Sequence, residues 1–127
     1  MFTVDASDCR RLAAELGKVG AKGALAADAA LAAGAKVLEQ AWRANAAATS
    51  GEHGKHYPNS IDTERAGGLR AIEYEIGPNP GKPQGGMSFE EGSVNQPPHL
   101  DGAKAADANL PAISEKVADS VFKLMGL

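Results

Sequence analysis

The segment from about Ala21 to Ala48 predicts one long helix, because apolar residues recur on one of its faces at helical spacing. These residues are Leu31, Ala35, Leu38, Trp42 and Ala46. Charged residues stay off this stripe, and Glu39 and Arg43 are spaced to pair on the helix surface. Two glycines inside the segment each cost about 1 kcal/mol relative to alanine. We therefore expect the helix to pack closely against a neighbour or to kink.

Helices are also predicted near both ends of the chain. The first begins after Asp5 or Ser7 and ends near Val19. Its apolar face holds Cys9, Leu12, Leu16 and Val19. Near the other end, Asn109 as N-cap would place Pro111 in the first turn, where proline is tolerated. The buried stripe of that helix is Ile113, Val117, Val121 and Leu124, with Gly126 closing it and a shorter helix at Gly102–Ala108 before it.

A β-hairpin is predicted from Ile61–Glu64 and Leu69–Ile76, joined by a turn at Gly67 and Gly68. In its second strand, apolar and acidic residues alternate, so one face is buried and the other faces water. The apolar face holds Ile72, Tyr74 and Ile76, and the acidic face holds Glu73 and Glu75. A shorter β segment is predicted at Phe2–Val4.

The segment Gly77–Gly86 is dense in glycine and proline, which excludes regular structure there. Met87 and Phe89 alternate with polar residues and predict a further short strand, whereas Pro97 and Pro98 forbid a central strand. The whole run predicts a long projecting loop that becomes ordered against a neighbour. The fold expected is α+β in a single domain of residues 1–127. It has a small antiparallel sheet packed against a long helix, with N- and C-terminal helices and a long Gly/Pro-rich loop.

Composition favours a binding role. Aromatic residues make up only 5% of the 127 residues, so the core is thin and association is a plausible further source of stability. The formal charge of −3, with both signs interspersed, gives no basic stripe for nucleic acid. Cys9 is the single cysteine, which excludes an intrachain disulfide and fits a reducing compartment. Neither a signal peptide nor a membrane span is expected from the hydropathy pattern.

The candidate chemical sites are weak. Gly77, Gly81 and Lys82 have the wrong spacing for a phosphate-binding loop, and Pro83 stands where that loop needs Ser or Thr. Glu73 and Glu75 lie about 7 Å apart on one strand face. This pattern is more typical of a solvent-exposed face than of a catalytic pair of carboxylates. Cys9 and Trp42 are expected to be core residues.

An alternative function is a small metalloprotein. Its ligands would come from His53, His56 and His99, with Glu52, Glu73 or Glu75. Histidines in polar loops are more often solvated surface groups, so we expect no metal, no cofactor and no enzyme activity.

Five short blocks carry a resemblance to a known family. They are HYPNSI (His56–Ile61), YEIGP (Tyr74–Pro78), KPQGG (Lys82–Gly86), FEEGS (Phe89–Ser93) and NQPPH (Asn95–His99). In this order, between an alanine-rich helix and a helical C-terminus, they resemble the head–tail connector or tail-completion group of long-tailed phages, also described as minor tail components. The resemblance covers the chain from about Ala35 onward. Glu91 departs from the family pattern, which commonly has an aromatic residue at that position.

The resemblance implies a structural virion protein that assembles, in the host cytoplasm, into a homo-oligomeric ring of six or twelve copies at the head–tail junction. The implied partners are other copies, head-closure or connector proteins, and tail terminator or tail tube proteins, with DNA passing through the lumen unread. A tail terminator or another minor tail protein is the alternative within this class. The expected interface residues are Glu73, Glu75, Pro78, Pro80, Lys82, Pro83, Met87, Phe89, Pro97 and Pro98.

Overall fold

The computed structural model describes residues 2–5, 20–67 and 72–124. In chain order the elements are β1 (Phe2–Asp5), α1 (Gly20–Thr49), α2 (Tyr57–Ser60), β2 (Ile61–Ala66), β3 (Glu73–Pro78), α3 (Ser88–Glu91) and α4 (Asp101–Leu124). The predicted N-terminal helix, Gly68 of the hairpin turn and the closing Gly126 lie outside the described residues. No helix in the described ranges is long and apolar enough to cross a membrane.

The strands form an antiparallel sheet in the order β1–β3–β2, so β3 is the central strand. The predicted hairpin is confirmed, with β2 running to Ala66 and β3 from Glu73 to Pro78, two residues beyond each predicted end. Residues 69–71 of the predicted second strand lie outside the described residues. One face of the sheet packs on α1, with Ile61 and Ile76 fully buried. Because α1 also contacts α4 along its length, it lies between the sheet and α4. The fold is therefore α+β, as the sequence predicts.

The apolar stripe of α1 forms the centre of the core. All five stripe residues predicted from the sequence are at most 2% exposed, and Trp42 is completely buried. The expectation that a helix glycine marks close packing is confirmed at Gly34, where an added Cβ would lie 2.5 Å from Ile113 of α4. Gly102 plays the same part on α4, because a Cβ there would lie 2.7 Å from the Trp42 ring. The two helices thus approach each other closely at both points.

The prediction for the C-terminal helix is wrong in one respect. Helix α4 is continuous from Asp101, with Pro111 inside it rather than in its first turn. Proline removes the hydrogen bond to the carbonyl of Asp107 and costs about 3 kcal/mol in a helix interior. Both Pro111 and Asp107 are exposed, so the freed carbonyl can be hydrated, while α4 packs on α1 before and after the proline. Leu124 is also 46% exposed, although the stripe predicts it to be buried.

The strand predicted at Met87 and Phe89 is wrong, since residues Ser88–Glu91 form the short helix α3. Successive side chains of a strand point to opposite faces. Here the neighbours Phe89 and Glu90 both reach inward, Phe89 onto Tyr57 and Glu90 onto the start of α4. A helical turn allows both contacts, which a strand would separate.

Candidate interaction surface

The face of the sheet that points away from α1 is acidic. On β2 and β3 it carries four carboxylates, Asp62, Glu64, Glu73 and Glu75. Glu64 and Glu75 are directly opposite each other across the two strands. Like charges at such positions repel and destabilise the pair. The alternation predicted from the sequence is confirmed, and pairing with β2 extends the acidic face beyond β3.

A groove of about 400 Å³ lies at one end of this acidic face. Its walls come from both strands and from the segment that follows β3, with lining residues that include Asp62, Glu64, Glu75, Pro78, Asn79 and Pro80. The groove thus joins the acidic strands to the start of the Gly/Pro-rich segment. Glu64 and Glu75 form no ion pair with a described residue, so the groove favours positively charged groups.

Asp62 is the one carboxylate of this face that is neutralised within the subunit by contacts on the described residues. Lys82 Nζ lies 2.8 Å from Asp62 Oδ1, and Arg43 Nη2 lies 3.4 Å from the same oxygen. Asn79 Nδ2 donates to Asp62 Oδ2 at 3.0 Å. The hydrogen bond from Lys82, followed by that from Asn79, holds the pKa of Asp62 below its usual value against the opposing effect of burial. The Lys82 charge is therefore engaged inside its own subunit.

The segment after β3 is folded onto its own subunit, which corrects the expectation of a projecting loop. The Asn79 amide donates to the Ser60 carbonyl at 2.7 Å, and the Asn79 side chain accepts from the Gly81 amide at 2.8 Å. Gln84 bridges to the turn after α1, where its amide oxygen accepts from the His56 backbone at 2.7 Å. At Gly85 an added Cβ would lie 1.6 Å from the Asn79 carbonyl oxygen, so only glycine allows this closure.

An aromatic cluster anchors the second half of the segment. The Phe89 ring stacks on Tyr57 with 4.7 Å between ring centroids. Trp42 Nε1 in turn donates to the Tyr57 hydroxyl at 3.3 Å. Burial raises the pKa of Tyr57 to about 12, and the nearby charges of Glu90 and Asp101 act in the same direction. The cluster links α1, α2 and α3 through one continuous set of rings.

The interface residues expected from the sequence divide into two groups. Those available on the surface are Glu73, Glu75, Pro80, Lys82, Pro83, Met87, Pro97 and Pro98, some of them half-buried. Pro78 is buried at the end of the central strand, and Phe89 is packed against Tyr57. These last two residues pack within their own subunit, and their expected role at an interface stays a prediction.

The three histidines do not form a metal site. His53 and His56 are exposed in the turn after α1, whereas His99 packs edge-on against Phe89 with 6.0 Å between ring centroids. Among the residues that the structure describes, no group of three or more His, Cys, Asp or Glu side chains is placed to hold a metal ion. Cys9 lies outside those residues.

Several important polar residues are not predicted from the sequence. Glu90 is 2% exposed, and its two carboxylate oxygens accept from the amides of Gly102 and Ala103 at 2.9 and 3.0 Å. It therefore caps α4 from a distant position in the chain. Asp28 accepts from the Tyr74 hydroxyl and pairs with Arg65 at 3.2 Å, and these contacts lower the pKa of Asp28.

The Tyr74 hydrogen bond to Asp28 fastens the sheet to α1. No local pattern reveals this contact or the Glu90 cap, because each joins residues that only the tertiary fold brings together. The one local signal is at Asp101, an acidic residue at the start of an apolar helix.

No protein-family model matches the chain, and no curated protein or solved structure is detectably similar to it.

Proposed function

We propose that this chain is a structural subunit of the neck of a long-tailed phage. In this proposal it forms a homo-oligomeric ring at the head–tail junction and joins the head connector to the tail without making or breaking a covalent bond. The proposal rests on the order of the five sequence blocks. The structure of the subunit supports the proposal, because the five blocks contact one another in it.

The observation that carries the proposal is that the five blocks converge on one another in space. HYPNSI contacts KPQGG through His56 and Gln84, and it contacts FEEGS through Tyr57 and Phe89. FEEGS contacts NQPPH through the Phe89 carbonyl, which accepts from the His99 amide at 2.9 Å. YEIGP leads into Asn79, whose amide bonds back to HYPNSI. Because the five blocks hold one another in place, a family that shares this fold would be expected to keep their residues.

In a ring, each subunit presents two different surfaces to its two neighbours. The acidic sheet face is one such surface, because Glu64, Glu73 and Glu75 form no ion pair with the described residues of their own subunit. The exposed prolines of the Gly/Pro-rich segment and of NQPPH are candidates for the second surface. Proline restricts the backbone around it, so these segments lose little conformational entropy when they bind a neighbour. Many weak contacts around a closed ring add up through avidity.

The first test is the oligomeric state of the purified full chain, measured by mass photometry and negative-stain imaging. Rings of six or twelve copies, alone or on added phage heads or tails, are the expected result. A strict monomer that binds neither heads nor tails would refute the proposal. A reconstruction of the virion would separate the connector position from the alternative position of a tail terminator or another minor tail protein.

A second test addresses the acidic face directly. The double substitution Glu73→Lys and Glu75→Lys should weaken ring formation or docking at least about tenfold, because reversed charge repels a basic neighbour. The matched control reverses Asp107 and Glu115, two exposed acids of α4. Equal assembly by both variants would show that the sheet face makes no contact in the particle, while the ring itself could still be seen by imaging.

A further inference from the structure

Strand β2 has an edge that faces away from the rest of the sheet. The order β1–β3–β2 leaves β2 paired with β3 on one side only. The Asn79 amide donates to the Ser60 carbonyl at 2.7 Å, which fixes the phase of the hydrogen bonds between the two strands. Because the backbone groups of successive residues point to opposite sides of a strand, Glu64 bonds to β3, whereas the amides and carbonyls of Thr63 and Arg65 point outward.

The side chain of Arg43 agrees with this phase and marks where the free edge begins. Its Nε and Nη2 donate to the Ile61 carbonyl at 2.9 and 2.6 Å. Ile61 lies two residues before Thr63, so its carbonyl points outward as well. Among the described residues, no hydrogen-bond partner is found for the outward amides and carbonyls of Thr63 and Arg65. Unpaired edge groups of this kind are a template for an added strand.

The charge beside this edge selects what can pair with it. Glu64 lies between the two outward residues, directly opposite Glu75 of β3, and neither glutamate forms an ion pair with a described residue. In an added antiparallel strand, the residue opposite Glu64 has its side chain on the same acidic face. The groove of about 400 Å³ on that face is lined in part by Thr63, Glu64 and Glu75, so it has room for a long side chain. A basic residue there is attracted, and an acidic one is repelled.

The edges of a second copy of this chain are poor partners for the same reason. The register that pairs Thr63 with Arg65 of a second copy places Glu64 opposite Glu64, and like charges at such positions are destabilising. The other edge strand, β1, contains one acid, Asp5, and no base. The occupant that fits the edge is therefore a strand from a different protein.

We propose that β2 is a docking edge for an extended segment of another protein, which adds antiparallel along residues 63–65 and places a lysine or arginine opposite Glu64. Antiparallel addition continues the arrangement of the whole sheet. Main-chain hydrogen bonds to Thr63 and Arg65 supply the affinity, and Glu64 supplies the selectivity. The proposal rests on the fold alone, so it stands whether or not the chain forms a ring.

Hydrogen exchange of the free full chain is the first test. After correction for intrinsic rates, the outward amides of Thr63 and Arg65 should exchange at least about tenfold faster than the amide of Glu64, because only Glu64 donates to β3. Equal protection of the three amides would show that the edge is already covered, and this result would overturn the proposal.

The second test titrates the full chain with the peptide acetyl-Val-Thr-Lys-Thr-Val-amide and follows backbone amide signals by NMR. The signals of Thr63 and Arg65 should shift, and their exchange should slow in the bound state. In the antiparallel arrangement the two residues beside the lysine donate to β2, while the amide of the lysine points away. Methylating both flanking nitrogens should therefore weaken binding at least about tenfold, whereas methylating the lysine nitrogen should not. An absence of shifts in β2, or equal binding by the two methylated peptides, would overturn the docking edge.

Variants of the chain provide matched controls. Thr63→Pro removes one outward amide but no bond to β3, so it should fold and should lose at least about tenfold in affinity for the peptide. Thr63→Val keeps that amide and loses only a buried hydroxyl that has no hydrogen-bond partner among the described residues, so it should bind like the wild type. Glu64→Lys should prefer the same peptide with glutamate in place of lysine. A Glu64→Lys variant that still preferred the lysine peptide would contradict the selectivity assigned to Glu64.

Discussion

Removing the buried Glu90 carboxylate of α3 should strongly destabilise the protein. Glu90 is buried, and it satisfies two backbone donors at the start of α4, where the helix dipole also favours negative charge. In Glu90→Ala both amides lose their acceptor. The Gly102 amide is buried, so water cannot easily replace the carboxylate there.

The expected loss can be worked out from these contacts. An unsatisfied buried donor costs about 1–3 kcal/mol, and an N-cap residue contributes about 0.5–2 kcal/mol. For one buried and one partly buried amide, we expect Glu90→Ala to lower the free energy of unfolding by about 3 kcal/mol. With a urea m-value of about 1.5 kcal/mol/M for a chain of this size, the unfolding midpoint should fall by about 2 M. Glu90→Gln keeps one acceptor and should lose about half as much.

The control is the neighbouring residue. Glu91 is also a glutamate of the short helix α3, but its side chain is exposed. Glu91→Ala should therefore change the free energy of unfolding by less than about 0.5 kcal/mol. Equilibrium urea unfolding followed by far-UV circular dichroism measures both variants. If Glu90→Ala were no more destabilised than Glu91→Ala at an unchanged m-value, the trans cap of α4 would be refuted.

Two further predictions concern packing and pH. Gly102→Ala should lower the free energy of unfolding by about 2 kcal/mol, because the added Cβ would clash with the Trp42 ring. Gly86→Ala is the control and should be nearly neutral, because there is open space at that position. Thermal unfolding of the two variants measures the difference. Lys82→Met should cost less than about 1 kcal/mol at neutral pH, since the pair with Asp62 is partly exposed. Because the folded-state pKa of Asp62 is depressed, this difference should shrink as the pH falls through that pKa, and a difference that stays constant from neutral pH into strong acid would contradict the pairing.

Much of the fold could be predicted because its signal is local. The apolar residues of α1 recur every three or four positions over many turns, so the sequence predicts both the helix and its buried face. The alternation of β3 worked for the same reason, and it correctly separated Ile76 from Glu75. The predicted C-terminal ends of β2 and β3 were two residues too short, because pairing between the strands decides how far each one runs.

The errors came where tertiary contacts override local preference. Pro111 is a strong helix breaker, yet contacts with α1 on both sides hold α4 together across it. Phe89 alternates with polar residues as in a strand, but its partner Tyr57 and the cap made by Glu90 require a helical turn. Of the surface candidates, the acidic residues of β3 were predictable, whereas the engagement of Lys82 by Asp62 depends on how the segment after β3 folds back.

The position of Trp42 gives this protein a built-in optical reporter. It is the single tryptophan of the chain, and its indole touches elements that meet only in the docked state, the Tyr57 hydroxyl on one side and Gly102 on the other. Trp42 fluorescence, excited at the red edge of its absorption band where tyrosine does not absorb, should therefore change when α1, α2 and α4 pack together, and no attached dye is needed. Emission from this one fluorophore can be followed in millisecond mixing experiments, so the order in which the helices assemble is open to direct measurement.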